Sequence, residues 1–470
     1  MIEKKKQSNR EEKDDSADSV KLVPSHVYVR IRPTVFDGSG HDQDAPGVAK
    51  SLAGYSDTSI TLNTQYMFSK GSNEYRFPTQ VFAPDSTQEH VYNVVLPALV
   101  QQVVTHNDAM LLSYGQTGTG KTVTIFGFEP SLKQQSATTN SIDPNWGILP
   151  RLTLELFAKL PQSTTVIAIS AMEFYLAMIV DLLQDDTDQN TVRLDAHNKP
   201  AGYRRVVLTT PTDIWEIIEK ILARRSSRGT HMNHTQDDHA GSSRSHCAIL
   251  FTILQYDDDA SRFRQTQFHL VDLAGAERPS KVGTGEDNLQ GSGATAFYKL
   301  YRGETMTAYE EGCLINYELF EFCKEIKMAT SLHKTKKPYM APRQCGTNLT
   351  KYLGRCIDGR ALLAMIVCIS QAPQCGWETW FSMNYGTDLA GLCTPTHPAK
   401  WFELDTSVQK CVQALQKAQR TLEDHEKQHA GSNTHPNARR WHGQKRTDVR
   451  EAAEKLKLLQ CLQEKIKSAP

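Results

Sequence analysis

The sequence predicts an α/β fold: a central, mostly parallel, twisted sheet flanked by helices, with short C-terminal helices after it. Three observations predict it. Short apolar runs of strand length alternate with helical patterns from Val27 to about Leu392. One such run, Ala109–Leu112, leads into Gly115, Gln116, Thr117, Gly118, Thr119, Gly120, Lys121 and Thr122, a G-x-x-x-x-G-K-[ST] phosphate loop at a strand end. The chain has 470 residues, 39% hydrophobic and 23% charged, which suits one large globular domain with an appendage.

The elements follow in order. Residues 1–21 are rich in Lys, Glu, Asp and Ser and lack an apolar core, so they are expected to be a disordered tail and not a secretory signal. A domain over 22–392 follows. Its apolar runs place strands at Val27–Arg32, Ala109–Tyr114, Thr165–Phe174, Ala248–Tyr256, Gln267–Asp272 and Ala361–Ile369. Its helical patterns cover Glu89–His106, a turn or two from Thr122, Pro150–Lys159, Thr212–Ala223, Cys313–Lys327 and Thr379–Leu392. Three polar stretches interrupt this order as expected loops: Glu129–Asn145, Thr230–Gly241 and Gly283–Ala308. Thr394-Pro395-Thr396-His397-Pro398 then breaks the last helix, so 393–404 reads as a linker.

Residues 405–470 form a helical extension. Val408, Cys411, Leu415, Ala418 and Leu422 make one apolar seam, and Val449, Ala452, Leu456, Leu459 and Ile466 a second, with the polar connector His429–Arg446 between them. Each seam is too short for an independently stable coiled coil, so it serves either a helical hairpin on the main domain or a homodimer contact.

Net charge is +0, so the overall field does not point to nucleic acid, and an acidic partner must meet a local basic patch. The ten cysteines are scattered without a C-x-x-C pair, which argues against a zinc ribbon or a disulfide framework and fits a reducing, cytoplasmic setting. The longest apolar run, Ala361–Ile369, is too short to span a bilayer, so no membrane partner is expected.

The chemistry gathers at three segments. In the phosphate loop, consecutive backbone N–H groups converge, Lys121 supplies a point charge for the outer phosphates, and the Thr122 hydroxyl suits a magnesium shell. Gly241-Ser242-Ser243-Arg244-Ser245-His246 stands at the entry to an apolar strand, and His269 to Glu277 is a buried strand ending in Asp272, then Gly275, then Glu277. Asp272 beside the loop can hold the magnesium shell, to which Ser243 could add an oxygen. Gly275 lets a backbone N–H meet a γ-phosphate, and an Arg244–Glu277 pair would latch the two segments while that phosphate is present.

These residues resemble the kinesin motor domains, in chain order over about Val27 to Leu392. Val27 to Pro33 is similar to the first strand with its R-x-R-P adenine contact. Ser86 to Tyr92 looks like T-Q-E-x-V-Y, Ser113 to Thr122 gives S-Y-G-Q-T-G-T-G-K-T, and Gly147 to Arg151 is similar to G-I-[IL]-P-R. Ser170 to Leu183 resembles the S-x-x-E-[IF]-Y…D-L-L strand. Ser242 to His246 is similar to the S-S-R-S-H of switch I, Asp272 to Glu277 to the D-L-A-G-x-E of switch II, Glu311 to Asn316 to the E-G-x-x-I-N of the microtubule-facing relay helix, and Lys337-Pro338-Tyr339 with Leu349-Thr350 to the P-Y…L-T segment.

The resemblance implies an ATPase with ATP and Mg2+ on the phosphate loop, Arg30 and Pro33 against adenine, and Thr122, Ser243 and, through water, Asp272 around the metal. Lys121, Ser243, Arg244, Gly275 and Glu277 would act on the terminal phosphate. It further implies a microtubule partner, a cytoskeletal location and a docking linker at 393–404, with Lys281, Lys334, Lys336 and Lys337 as candidate contacts to tubulin's acidic surface.

The chain departs from the family's pattern in four places. His239 stands where switch I usually has its asparagine, and Asn233 lies upstream, so that loop reads as extended. Its His231, His234, Asp237, Asp238 and His239 read as a solvated loop, not a metal site. E-[IF]-Y-N-E becomes Glu173-Phe174-Tyr175-Leu176-Ala177, the switch II loop carries an insert around Asp287–Thr307, and the P-Y segment is rebuilt through Arg343. The first reading is a microtubule-stimulated ATPase that moves along microtubules. The alternatives are a non-motile microtubule-binding module with slow turnover and a different P-loop switch such as a GTPase.

Overall fold

The computed structural model describes residues 22–33, 50–63, 65, 73–128, 142–184, 192–232, 244–276, 293–335, 337, 339–340, 346–395, 397–428 and 436–468. Its centre is a ten-stranded sheet. In chain order the strands are β1 (His26–Ile31), β2 (Gln80–Phe82), β3 (Asp108–Tyr114), β4 (Thr165–Tyr175), β5 (Met178–Asp181), β6 (Val206–Leu208), β7 (His246–Asp257), β8 (Arg262–Asp272), β9 (Ala361–Ile369) and β10 (Trp401–Glu403). All six expected strands are present, with boundaries shifted by a few residues.

The spatial order is β6-β4-β7-β8-β3-β9-β1-β2, with β5 on β4 and β10 on β8. The sheet is mixed and not mostly parallel. From β8 to β2 the strands run parallel. From β6 to β8 they run antiparallel. The cause is local: only a tight turn separates β7 from β8, and its Ser261 takes φ 50°. So short a connection can only make a hairpin.

Strand alternation sorts the core into two layers. Val27, Val29, Met110, Leu112, Met365 and Val367 face one side, and Tyr28, Ala109, Leu111, Ala364 and Ile366 the other. Strands buried on both faces therefore read as continuous apolar runs. On the second face lie α1 (Gln88–Val104), the five-residue α2 (Lys121–Ile125), α3 (Ile148–Lys159) and α4 (Ile214–Met232). On the first lie α6 (Ala308–Lys334), α7 (Asn348–Arg355) and α8 (Gly376–Ala390). The Gly/Thr-rich stretch expected as a loop contains a helix, α5 (Gly293–Arg302). Its Ala296 is buried against Tyr175, Leu176 and Leu314, and Lys299 pairs with Glu310 at 2.9 Å, so tertiary contacts hold a weak helix former in place.

Buried carboxyls leave a measurable mark on this fold. Asp181, on β5, is 2% exposed. Burial pushes its carboxyl up to about 6, although it accepts the Leu183 and Arg204 backbone N–H groups. A carboxyl raised this way contributes stability that is full below its unfolded value of 3.8 and is lost as pH rises through about 6. Between about pH 4 and about pH 7, urea unfolding should therefore show the wild type losing about 2–3 kcal/mol more than Asp181→Asn. Parallel pH profiles for the two proteins would refute this.

The C-terminal segments return to the sheet. Cys393–Pro395 pairs antiparallel with Leu22–Pro24, and β10 pairs antiparallel with Arg262–Arg264 of β8. Then α9 (Leu404–Gln428) and α10 (Pro436–Ser468) form an antiparallel hairpin. Leu404, Leu458, Leu459 and Leu462 are buried with Val166, Ala168, Leu254 and Phe263 of the sheet, and Val408, Cys411 and Ile466 pack at the edge. Leu459 of one seam is buried here, and Val408, Cys411 and Ile466 pack beside it, so the hairpin rests on the main domain. Helix α10 also begins inside the stretch read as a polar connector, at Pro436, since proline is well suited to a first helical turn.

Candidate nucleotide site

The site forms where β3 and β8 end and the antiparallel β7 begins, side by side. The loop after β3 needs glycine at three places: Gly115, Gly118 and Gly120 have φ of 145°, 79° and 93°. At Gly115 a Cβ would also lie 2.1 Å from the Cys368 carbonyl oxygen of β9, so no side chain fits there. Gly120 precedes α2, which begins at Lys121. The Lys121 ammonium is 7% exposed and donates to the carbonyls of Gly115 and Gln116, both at 2.8 Å. Thr119 is buried and donates to Gln116 O at 2.7 Å, while Thr117 and Gly118 form the exposed rim.

Asp272, the last residue of β8, is the hub. Its Oδ1 accepts from Ser113 Oγ at 2.9 Å, and its Oδ2 from Thr122 Oγ1 at 2.9 Å and from Arg225 at 3.0 Å. Arg225 and Asp272 are both 1% exposed, so this is a fully buried ion pair between α4 and the sheet. The chain after Asp272 runs beside the loop: Leu273 N donates to Ser113 O and Ala276 N to Gly115 O, each at 3.2 Å. Gly275 lies between them, buried.

The start of β7 ties into the same frame. Ser245 Oγ donates to Glu173 Oε1 at 2.6 Å, and Ala274 N donates to His246 Nδ1 at 3.0 Å. His246 Nε2 lies 3.5 Å from Glu318 of α6, whose carboxyl burial pushes up and His246 pulls back. Arg244 pairs with Glu311 of α6 at 3.0 Å, and Tyr175 OH donates to the other oxygen of Glu311 at 2.8 Å. Burial and the adjacent Glu311 raise the Tyr175 phenol, so it stays a donor. Helix α6 is therefore held at its N-terminal part by the segment that enters β7.

Among the expected site residues, Lys121, Thr122, Asp272 and Gly275 come together. Arg244 stands nearby on Glu311. Ser243, Glu277, Lys281 and Lys336 lie outside the described residues. Arg30, the expected adenine contact, is 7% exposed, its guanidinium donates to Gln88 Oε1 and Thr124 Oγ1 at 2.8 Å each, and burial lowers its pKa. It braces α1 to α2 beneath the loop. Arg32 and Pro33, one partly buried and one exposed, follow the end of β1. Lys334 and Lys337 are exposed at the C-terminal end of α6. The reading of the sequence missed Arg225, Ser113 and Gln88. An arginine inside the apolar pattern of α4 was the one available signal.

The cradle suits a polyphosphate. Its glycine conformations, buried lysine, and carboxylate joined to two hydroxyls are the donor set that a nucleotide with Mg2+ requires. A family model for the kinesin motor domain matches residues 30–390. The chain belongs to the kinesin motor-domain family. Kinesin-like protein 3 of Schizosaccharomyces pombe is 27% identical over 77% of this chain and 57% of its own length. The kinesin heavy chain of Drosophila melanogaster is 27% identical over 65% of this chain and 28% of its own. The chain thus spans little more than half, or less, of the curated relatives it matches. The solved structure of a fast kinesin superposes with a TM-score of 0.61 at 20% identity, covering 80% of this chain and 94% of that one, which establishes the shared fold. No helix of the described residues of this kinesin motor domain is long and apolar enough to cross a membrane.

Proposed function

We propose that this kinesin motor domain hydrolyses ATP, that microtubules accelerate the turnover, and that the cycle drives movement along them. The observation that carries this reading is the Asp272 hub: one carboxylate ties the loop hydroxyl of Thr122, the strand hydroxyl of Ser113 and the α4 guanidinium of Arg225 together. Lys121 and the loop amides would hold the phosphates of ATP. Thr122, Ser243 and, through water, Asp272 would hold Mg2+, which supplies charge neutralisation at the β- and γ-oxygens. Gly275 N–H and the Arg244 and Glu277 side chains would close on the terminal phosphate. Phosphoryl transfer asks mainly for positioning and charge stabilisation, which these groups offer. The Arg244–Glu311–Tyr175 contacts give α6 a direct hold on the closing segment, a route from phosphate to filament grip. Lys334 and Lys337, with Lys281 and Lys336, would meet tubulin, and residues 393–404 would be the linker.

One observation favours the slower, non-motile reading. The strand Trp401–Glu403 is held firmly: Arg264 and Arg262 lie 3.7 and 4.4 Å from the Trp401 ring centroid, and Phe402 packs on Phe263. A linker so fixed resists release. The deciding measurement is steady-state turnover of ATP and GTP with and without microtubules, run beside surface gliding. Stimulation of ATP turnover by at least about tenfold, a barrier change of about 1.4 kcal/mol, is expected together with gliding. Intact ATP binding without stimulation would favour the non-motile module, and a strong preference for GTP would overturn the ATPase reading.

A further inference from the structure

A cavity of 680 Å³ lies between the central sheet and the C-terminal hairpin, on the side of β7 and β8 away from the phosphate loop. Leu250, Thr252 and Phe263 form part of its floor, and Ala418, Ala452 and Leu459 part of its roof. It exists because the hairpin closes on the sheet through the buried leucines Leu458, Leu459 and Leu462, while alanines face the sheet farther along and fill less space. Arg205 of the rim pairs with Glu451 of α10 at 2.8 Å, and Gly202 N donates to the same carboxylate at 2.9 Å, so the roof is anchored.

The polar groups of this cavity are unevenly satisfied. The acids are spent: Glu451 serves Arg205, Gly202 and Lys455, Asp195 accepts from His197 N and Lys199 N, and Asp448 accepts from Gln444. Two cations at the mouth are not. Among the described residues no acceptor meets the side chains of Lys199 or Arg355, and Arg355 Nε is buried. Lys199 is exposed at the mouth and Arg355 partly buried; partial desolvation and the neighbouring Arg355 lower the Lys199 pKa, and Asp195 raises it. On the floor, Thr252 is 2% exposed and its hydroxyl has no partner among the described residues. A buried donor or cation without a counterpart is costly, and a ligand that supplies one gains correspondingly.

We propose that this cavity binds a small organic carboxylate with an apolar body, its head group on Arg355 and Lys199 and its body along the leucines, alanines and Phe263. The guanidinium fork matches a planar two-oxygen head, and the volume lies within the range of small-molecule sites. Thr252 would take a polar substituent of the body. Because the floor belongs to the sheet and the roof to the hairpin, occupancy would hold the hairpin down and with it the β10 strand.

The test titrates the full chain with dansyl-labelled undecanoic acid and, separately, with its methyl ester, following dansyl fluorescence. Saturable uptake of the acid, with the ester at least about tenfold weaker, is expected. Joint Lys199→Gln and Arg355→Gln substitution should weaken the acid about tenfold, and Ala418→Phe should fill the site and abolish uptake. Absence of saturable uptake by the wild type, or equal affinity for acid and ester, overturns the proposal. So does unchanged affinity in both variants when their near-ultraviolet circular dichroism is native. If a variant fails to fold, the acid-against-ester comparison on the wild type decides alone.

Discussion

Lys121→Ala is expected to lower ATP turnover by about two to three orders of magnitude while leaving the fold nearly intact. The side chain is 7% exposed, and its ammonium donates to the Gly115 and Gln116 carbonyls. A positive charge fixed in so dry a place acts on developing phosphate charge far more strongly than it would in water. Removing one such preorganised group costs about 3–4 kcal/mol of transition-state stabilisation. The loop itself is shaped by glycine conformations and by the Thr119–Gln116 bond, neither of which needs the lysine. Thermal unfolding should therefore move little. Single-turnover hydrolysis beside a melting curve checks both halves: turnover within about threefold of wild type, or loss of the fold, would refute the assigned role.

Arg225→Ala should have the largest effect on stability of any single change at the site, about 3–5 kcal/mol. Arg225 and Asp272 are each 1% exposed, at 3.0 Å. Truncating the arginine leaves a buried carboxylate that, among the described residues, faces the Ser113 and Thr122 hydroxyls, and the penalty is that of an unpaired buried charge. The cycle with Asp272→Asn separates this from lost packing. If the charge is the cause, the double variant is more stable than the sum of the single losses predicts, since a neutral amide no longer needs the guanidinium. Urea unfolding of the four proteins measures the coupling, and strict additivity would show that Arg225 acts by volume alone.

Much of the fold was legible because its signals are local. Apolar runs such as Ala361–Ile369 and Ala109–Tyr114 mark strands buried on both faces, and both appear where the pattern puts them. The phosphate loop was legible because its conformation demands glycine at Gly115, Gly118 and Gly120 whatever surrounds them. Helix α5 was hidden because its own residues form helix weakly, and tertiary contacts such as those with Tyr175, Leu314 and Glu310 stabilise it. Arg30 shows the converse. Its place in the R-x-R-P run carried no sign that Gln88 and Thr124 would hold it, buried, between two helices.

The ligand-shaped loop, the order of the strands along the chain and membership of the kinesin motor domains could be read from the residues alone, because each rests on contiguous residues whose backbone requirements travel with them. Which charges meet became visible in the folded chain. Arg225 reaches Asp272 across 47 residues, Arg244 reaches Glu311 across 67, and Arg205 reaches Glu451 across 246. Such pairs are chosen by how the sheet and helices stack, and a charge along the chain carries no mark of the partner that burial will require of it.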